Sequence, residues 1–261
     1  LYQQTGGSRQ ATGEELGLWI NQTFFFALGK AMSAGDVINV MQYRLRAYET
    51  VPGSVNEVIT AVKKEVYEAL EQRTSVIMAM RRGRKMIQKL ELDRVQPKPK
   101  VAIIGEFWAM TTEGDGNYHL QEFLEGEGAE VSIIVLANVL LYNLWEFRHD
   151  TEVRMKLRGA DDSKFGLEGS DVGLTMAGLW IGEWALRSVW QSFALALGLR
   201  DFVLPDMEEI AAVGHSHYNV DLRGGEGHME VAKLILNVVK QKAHMTLSVK
   251  PFGCMPSSGV S

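Results

Sequence analysis

Cys254 is the only cysteine among 261 residues, and it stands in Lys250-Pro251-Phe252-Gly253-Cys254-Met255-Pro256-Ser257-Ser258, directly after an apolar run that reads as a buried strand. A lone cysteine is usually an inert core residue. On a loop between Gly253 and a Met-Pro pair, however, its thiolate is suited to ligate an iron–sulfur cluster, whose sulfurs are stabilised by nearby backbone N–H groups. A single cysteine also excludes an intrachain disulfide, suits a reducing cytoplasm, and argues against a cysteine-rich metal site held wholly within this chain.

Two other loops carry polar groups at similar positions. Gly105 to Asn117 follows an apolar run and contains Glu106, Thr111, Thr112, Glu113 and Asp115. It is longer than a strand-to-helix connection requires, so it either faces a ligand or is a plain link in which Asn117 or a neighbour caps the next helix. Glu106, Glu113 and Asp115 are candidate acids or bases, with helix caps or surface charges as the alternative.

The other loop, His215 to His228, contains Gly224-Gly225-Glu226-Gly227-His228. Gly224 and Gly225 permit close backbone approach to a bound group, and a helix N-terminus behind them offers free N–H groups to an anion. Glu226 and His228 join the acid–base candidates. His215, His217 and His228 with Glu226 form a second potential ligand set, for zinc, but their spacing matches no familiar zinc pattern. The loop lacks both the P-loop Lys-Ser/Thr and the Gly-x-Gly-x-x-Gly spacing.

The elements that must position these loops fall into two stretches. After a Gly/Ser/Thr/Gln-rich start over 1–13, the text from Glu14 to about Arg94 is mainly helical. Val58, Val62, Val66, Ala69 and Leu70 share one face there. Ser54 is the expected N-cap, with Glu57 completing a capping box. Arg81-Arg82-Gly83-Arg84-Lys85 is a basic run, either a solvated face or a phosphate or partner contact.

Pro97-Lys98-Pro99 breaks the helical pattern and sets the expected domain boundary: a helical segment over 1–96 and an α/β domain over 97–261. In the latter, Val101 to Ile104 is a strand, Tyr118 to Glu127 a helix and Val131 to Val135 a strand. That is a βαβ unit, the building block of a doubly wound, flavodoxin- or Rossmann-like parallel sheet. Helices follow over Leu140 to Leu157, Leu174 to Leu197 and Met229 to Lys242, with a last strand over Met245 to Val249. Trp180, Trp184 and Trp190 serve either the core, the favoured reading, or an interface.

Ligands of such sheets sit beyond the carboxyl ends of the strands, where all three loops are expected. With 46% apolar and 23% charged residues and a net charge of −5, the chain reads as an ordinary globular protein with no pull toward nucleic acid or anionic membrane. Its apolar runs are too short or too interrupted to predict a membrane span.

The segments Gly105 to Tyr118, Leu222 to His228 and Val249 to Ser257 resemble the C-terminal region of the 2-hydroxyacyl-CoA dehydratase and benzoyl-CoA reductase superfamily, and most of all its large activase-related members. Tyr43 to Glu49, Pro52-Gly53-Ser54 and Gln4-Thr5-Gly6-Gly7 resemble the preceding part of that region. The resemblance implies an α/β domain holding an iron–sulfur cluster, [4Fe–4S] or larger, with Cys254 as one ligand and residues 1–96 as part of a preceding cluster-binding lobe. Gly224, Gly225, Gly253, Thr111 and Thr112 would line the cofactor.

It further implies an ATP-hydrolysing activase domain or protein, a second dehydratase-like subunit, and an acyl-CoA substrate for an oxygen-sensitive dehydratase (lyase) or ATP-dependent reductase. A scaffold or regulatory module of the same fold, and a flavodoxin-like domain binding a phosphorylated or CoA ligand at Gly224-Gly225, are the competing readings. Members of the family have a cysteine after the paired glycines, where Gly6-Gly7-Ser8-Arg9 has none. One thiolate cannot hold a [4Fe–4S] cluster, so further ligands come from missing residues or partner chains, or the cluster has been lost. The Leu1 start, without an initiator methionine, reads as the interior of a longer chain.

Overall fold

The computed structural model describes residues 21–157, 171–221, 225, 227–251, 253–255 and 259. Three helices come first: α1 (Gln22–Arg46), α2 (Ser54–Glu71) and α3 (Val76–Ile87). The loop expected over 1–13 and the helix start at Glu14 lie outside the described residues. α2 buries Val55, Ile59, Val62, Val66 and Ala69 along one stripe, with Val58 and Leu70 partly buried at its margin. Each fully buried aliphatic side chain contributes about 1.5–3 kcal/mol by leaving water.

The start of α2 differs from the expected capping box. Gly53 is the cap residue, in the left-handed region at φ 86°. The Glu49 carboxylate accepts the N–H groups of Gly53 and Val55 at 2.8 and 3.0 Å. A carboxylate forms stronger bonds to these donors than a hydroxyl does, so Ser54 becomes the first residue of the helix instead of its cap.

Among the described residues one helix, Thr23–Arg46, is long and apolar enough to cross a membrane by length and composition, which corrects the expectation that no segment is. Phe24, Phe25 and Phe26 raise the hydropathy of its first turns. From Ala34 onward it is a core helix, burying Ala34, Val37, Ile38 and Met41.

Beyond Pro99 the chain forms β1 (Lys100–Gly105), α4 (Phe107–Thr111), a 3-10 turn (Asp115–Asn117), α5 (Leu120–Gly126), β2 (Glu130–Ser132), α6 (Leu136–Leu157), α7 (Val172–Leu197), α8 (Met207–His215), α9 (Gly227–Val239) and β3 (Met245–Val249). The three strands make one parallel sheet in the order β2-β1-β3. The chain moves from β1 outward to β2, then returns past β1 to reach β3. With right-handed crossovers, this reversal sends the connecting helices to opposite faces, the doubly wound α/β arrangement expected from the sequence.

β3 has its expected bounds, whereas β2 stops at Ser132, three residues before Val135. Asp36 on α1 explains the early stop: its carboxylate accepts the N–H groups of Leu136 and Ala137 at 3.0 and 2.7 Å. These bonds cap α6 and draw the chain out of the ladder, so α6 begins at Leu136 instead of Leu140. Burial pushes Asp36 up to about 6, against the lowering effect of those N–H groups.

The main core crosses Pro97. Ile38, Ile59 and Met80 belong to the same buried cluster as Leu141, Trp190, Leu197, Ile210 and Met229. A smaller cluster joins Val101, Ile103, Met110, Leu124 and Val131 to Tyr43. Of the three tryptophans on α7, Trp190 alone is core; Trp180 and Trp184 are exposed, because α7 buries only its C-terminal part, from Trp190 to Leu197. Arg148 lies over the Trp180 ring at 3.8 Å.

Candidate functional site at the carboxyl edge of the sheet

Gly105 ends β1 opposite Val249, the last residue of β3. Its φ of +124° is open to glycine, and a Cβ there would lie 2.1 Å from the Val249 carbonyl oxygen. The Glu106 N–H donates to that same oxygen at 2.9 Å. The loops after β1 and β3 therefore leave the sheet side by side.

The first turn of α9 is tied to the same edge. Glu230, buried, accepts the Ser248 hydroxyl and lies 2.9 Å from the Lys250 Nζ. Beyond Lys250 the Cys254 N–H donates to the Pro251 carbonyl at 3.1 Å, closing a turn. The thiol of Cys254 is free and half-buried.

His228 packs against Tyr142 and Trp145 of α6, with ring centroids 5.2 and 5.3 Å away. Trp145 also stacks on His149 at 4.9 Å. The Tyr142 hydroxyl donates to the Gly225 carbonyl at 2.9 Å, fastening the loop before α9 to α6. Burial, with the His149 charge second, pushes His228 down to about 4, so its imidazole is neutral at pH 7. Glu230 and this aromatic row were missed from the sequence. The row is visible there as Tyr142, Trp145 and His149 at i, i+3 and i+7 on one helix face; the Glu230–Lys250 pairing leaves no local signal.

The sequence-predicted residues separate. Glu106 caps α4, accepting the Ala109 N–H at 2.9 Å. Thr111 donates its hydroxyl to the Phe107 carbonyl at 2.7 Å, and Thr112 packs against Gly116. Asn117 is buried inside the loop, donating to Ala109 O at 3.2 Å and Gln121 Oε1 at 2.7 Å.

Glu113 is held by α1: it accepts the Tyr43 hydroxyl at 3.0 Å and Arg46 Nη2 at 2.5 Å. Arg46 also lies 2.6 Å from Glu125, whose carboxyl is pushed up to about 7 by burial against the pull of Arg46. Asp115 is fully exposed and lies 3.1 Å from His119.

Gly224 and Glu226 lie outside the described residues, and Gly253 faces open space. The histidine set does not assemble: His215 and His217 are exposed at the end of α8, whereas His228 is buried among aromatic rings. The basic run lies on α3. Arg82 pairs with Glu65 at 2.6 Å, Gly83 packs against Val62 and Leu197, and Arg84 lies along Gly198. Arg81 and Lys85 border a shallow depression of about 590 Å³ between α3 and α7.

No group of three or more His, Cys, Asp or Glu side chains that could hold a metal ion exists among the described residues. With one cysteine in its sequence, the chain by itself does not fit a [4Fe–4S] cluster; it offers one thiolate where about four are needed. Compared with known proteins, the chain matches no family model, no curated protein and no solved structure.

Proposed function

We propose that this chain is the α/β portion of a cytoplasmic, ATP-dependent low-potential electron-transfer system of the 2-hydroxyacyl-CoA dehydratase type. In this reading Cys254 supplies one ligand to an iron–sulfur cluster whose other thiolates come from outside the chain. The observation that carries it is the position of Cys254. The one thiol stands five residues after Val249 on the loop that follows β3, and that loop leaves the sheet where Val249 meets Gly105, at the edge where ligands of doubly wound folds bind.

The chain's own residues contribute positioning. The pair of Glu230 with Lys250 anchors the start of the Cys254 loop, and neutral His228 with Tyr142 and Trp145 packs the start of α9 against α6. Glu106, engaged as a cap, borders the same edge. An activase partner would supply electrons, and an acyl-CoA thioester is the substrate class.

The test is iron and acid-labile sulfide content of the protein purified anaerobically together with the chains that accompany it, wild type against Cys254→Ala. The expected result is iron in the wild type that falls in the variant. Iron absent from both, in folded protein, would overturn the reading.

A further inference from the structure

Lys233 extends from α9 into a cavity of about 620 Å³ that runs along the β1–β2 face of the sheet, a volume within the roughly 300–1,000 Å³ typical of small-molecule sites. Ala102, Ile104 and Ser132 share the face that forms its sheet wall, and the α7–α8 connection closes one side. Lys100 and His244 place one end at the amino ends of the strands, away from the Cys254 loop.

The charges around the cavity do not balance. Arg44 pairs with Asp201 at 2.7 Å, Lys100 with Glu130 at 3.3 Å, and Lys240 with Glu209. Lys233 and Lys242 have no carboxylate partner among the described residues, which leaves two cations in excess.

Lys233 is half-buried and faces this cavity with no counter-charge, so its ammonium gives up part of its hydration without a partner in return. Core packing gives no reason to bear that cost. We propose that this cavity binds a small organic anion, a carboxylate or a phosphate ester, whose charge rests on Lys233. Burial first, and Lys242 second, push the Lys233 ammonium down to about 7; a bound anion would raise it again. This inference does not rest on Cys254 or on a cluster.

Pyridoxal 5′-phosphate is the probe, since it carries both an anion and an aldehyde. The Lys233 amine adds to the aldehyde carbon with loss of water to give an imine, and borohydride then delivers hydride to leave a stable secondary amine. Peptide mass spectrometry at pH 7.5 should find Lys233 modified at least about tenfold faster than the exposed Lys64, because with its ammonium pushed down to about 7 much more of it is neutral there. Inorganic phosphate or malonate should protect it, and whichever protects better names the anion class. Lys233→Met should lose this adduct alone. Modification no faster than at Lys64, or fast modification that neither anion slows, would overturn the proposal.

Discussion

Asp36 and Ala137 are 101 positions apart in sequence, yet the Asp36 carboxylate accepts the Ala137 N–H at 2.7 Å and so decides where β2 ends and α6 begins. Asp36→Ala would leave two N–H groups at the buried start of α6 without an acceptor. A lost cap of this kind costs about 1–3 kcal/mol. Urea unfolding should show that loss as a lower midpoint with unchanged slope, and Asp36→Asn should recover part of it. A midpoint shift equivalent to less than about 0.5 kcal/mol for the alanine variant would mean that α6 is capped by other means.

Gly105→Ala is expected to be among the most damaging single-methyl additions in the chain. The Cβ would meet the Val249 carbonyl oxygen at 2.1 Å, and the φ of +124° is itself strained for alanine. Backbone on both strands must move, at a cost of about 3 kcal/mol or more. The control is Gly126→Ala, which meets nothing within 4 Å. Equal thermal stability of the two variants would show that the edge tolerates separation of β1 from β3.

His228 sets a pH dependence. Its folded-state value near 4 lies below the ordinary 6.5, so the unfolded chain binds more protons between these values and stability rises with pH across that window. The contribution is present above pH 6.5 and is lost as pH falls toward 4, on the order of 3 kcal/mol in all. His228→Phe, which cannot take up a proton, should flatten that part of the wild-type profile in denaturant titrations from pH 4 to 7. An unchanged slope would place a proton acceptor beside the ring.

Glu230→Gln removes the charge facing Lys250 while keeping an acceptor for Ser248. Breaking a buried ion pair leaves an unmatched charge, and here it loosens the start of the Cys254 loop. Reaction of Cys254 with a thiol reagent should quicken by about tenfold, equivalent to about 1.4 kcal/mol of easier opening. Equal rates would mean that the loop is held independently of α9.

The alternation of apolar runs with amphipathic stretches was enough to predict the doubly wound parallel sheet and to place β3 over Met245–Val249, because such patterns are local. The same patterning led the loops after β1 and β3 to one edge, where the register of Gly105 with Val249 joins them. The loop residues themselves were not sorted by their sequence positions. Glu106, Glu113 and Asp115 stand within ten residues of one another, yet one caps its own helix, one is held by Arg46 from 67 positions away, and one is exposed beside its near neighbour His119.

Composition alone determined that the chain has a single thiol and hence cannot complete a four-thiolate site, since a count does not depend on folding. Tertiary structure decided which charges are matched. Arg46 finds Glu113 and Glu125, Lys250 finds Glu230, and Lys233 finds no carboxylate among the described residues. The reason is that burial and pairing depend on partners brought together by packing over long sequence separations, while helix and strand periodicity is written in neighbours a few residues apart.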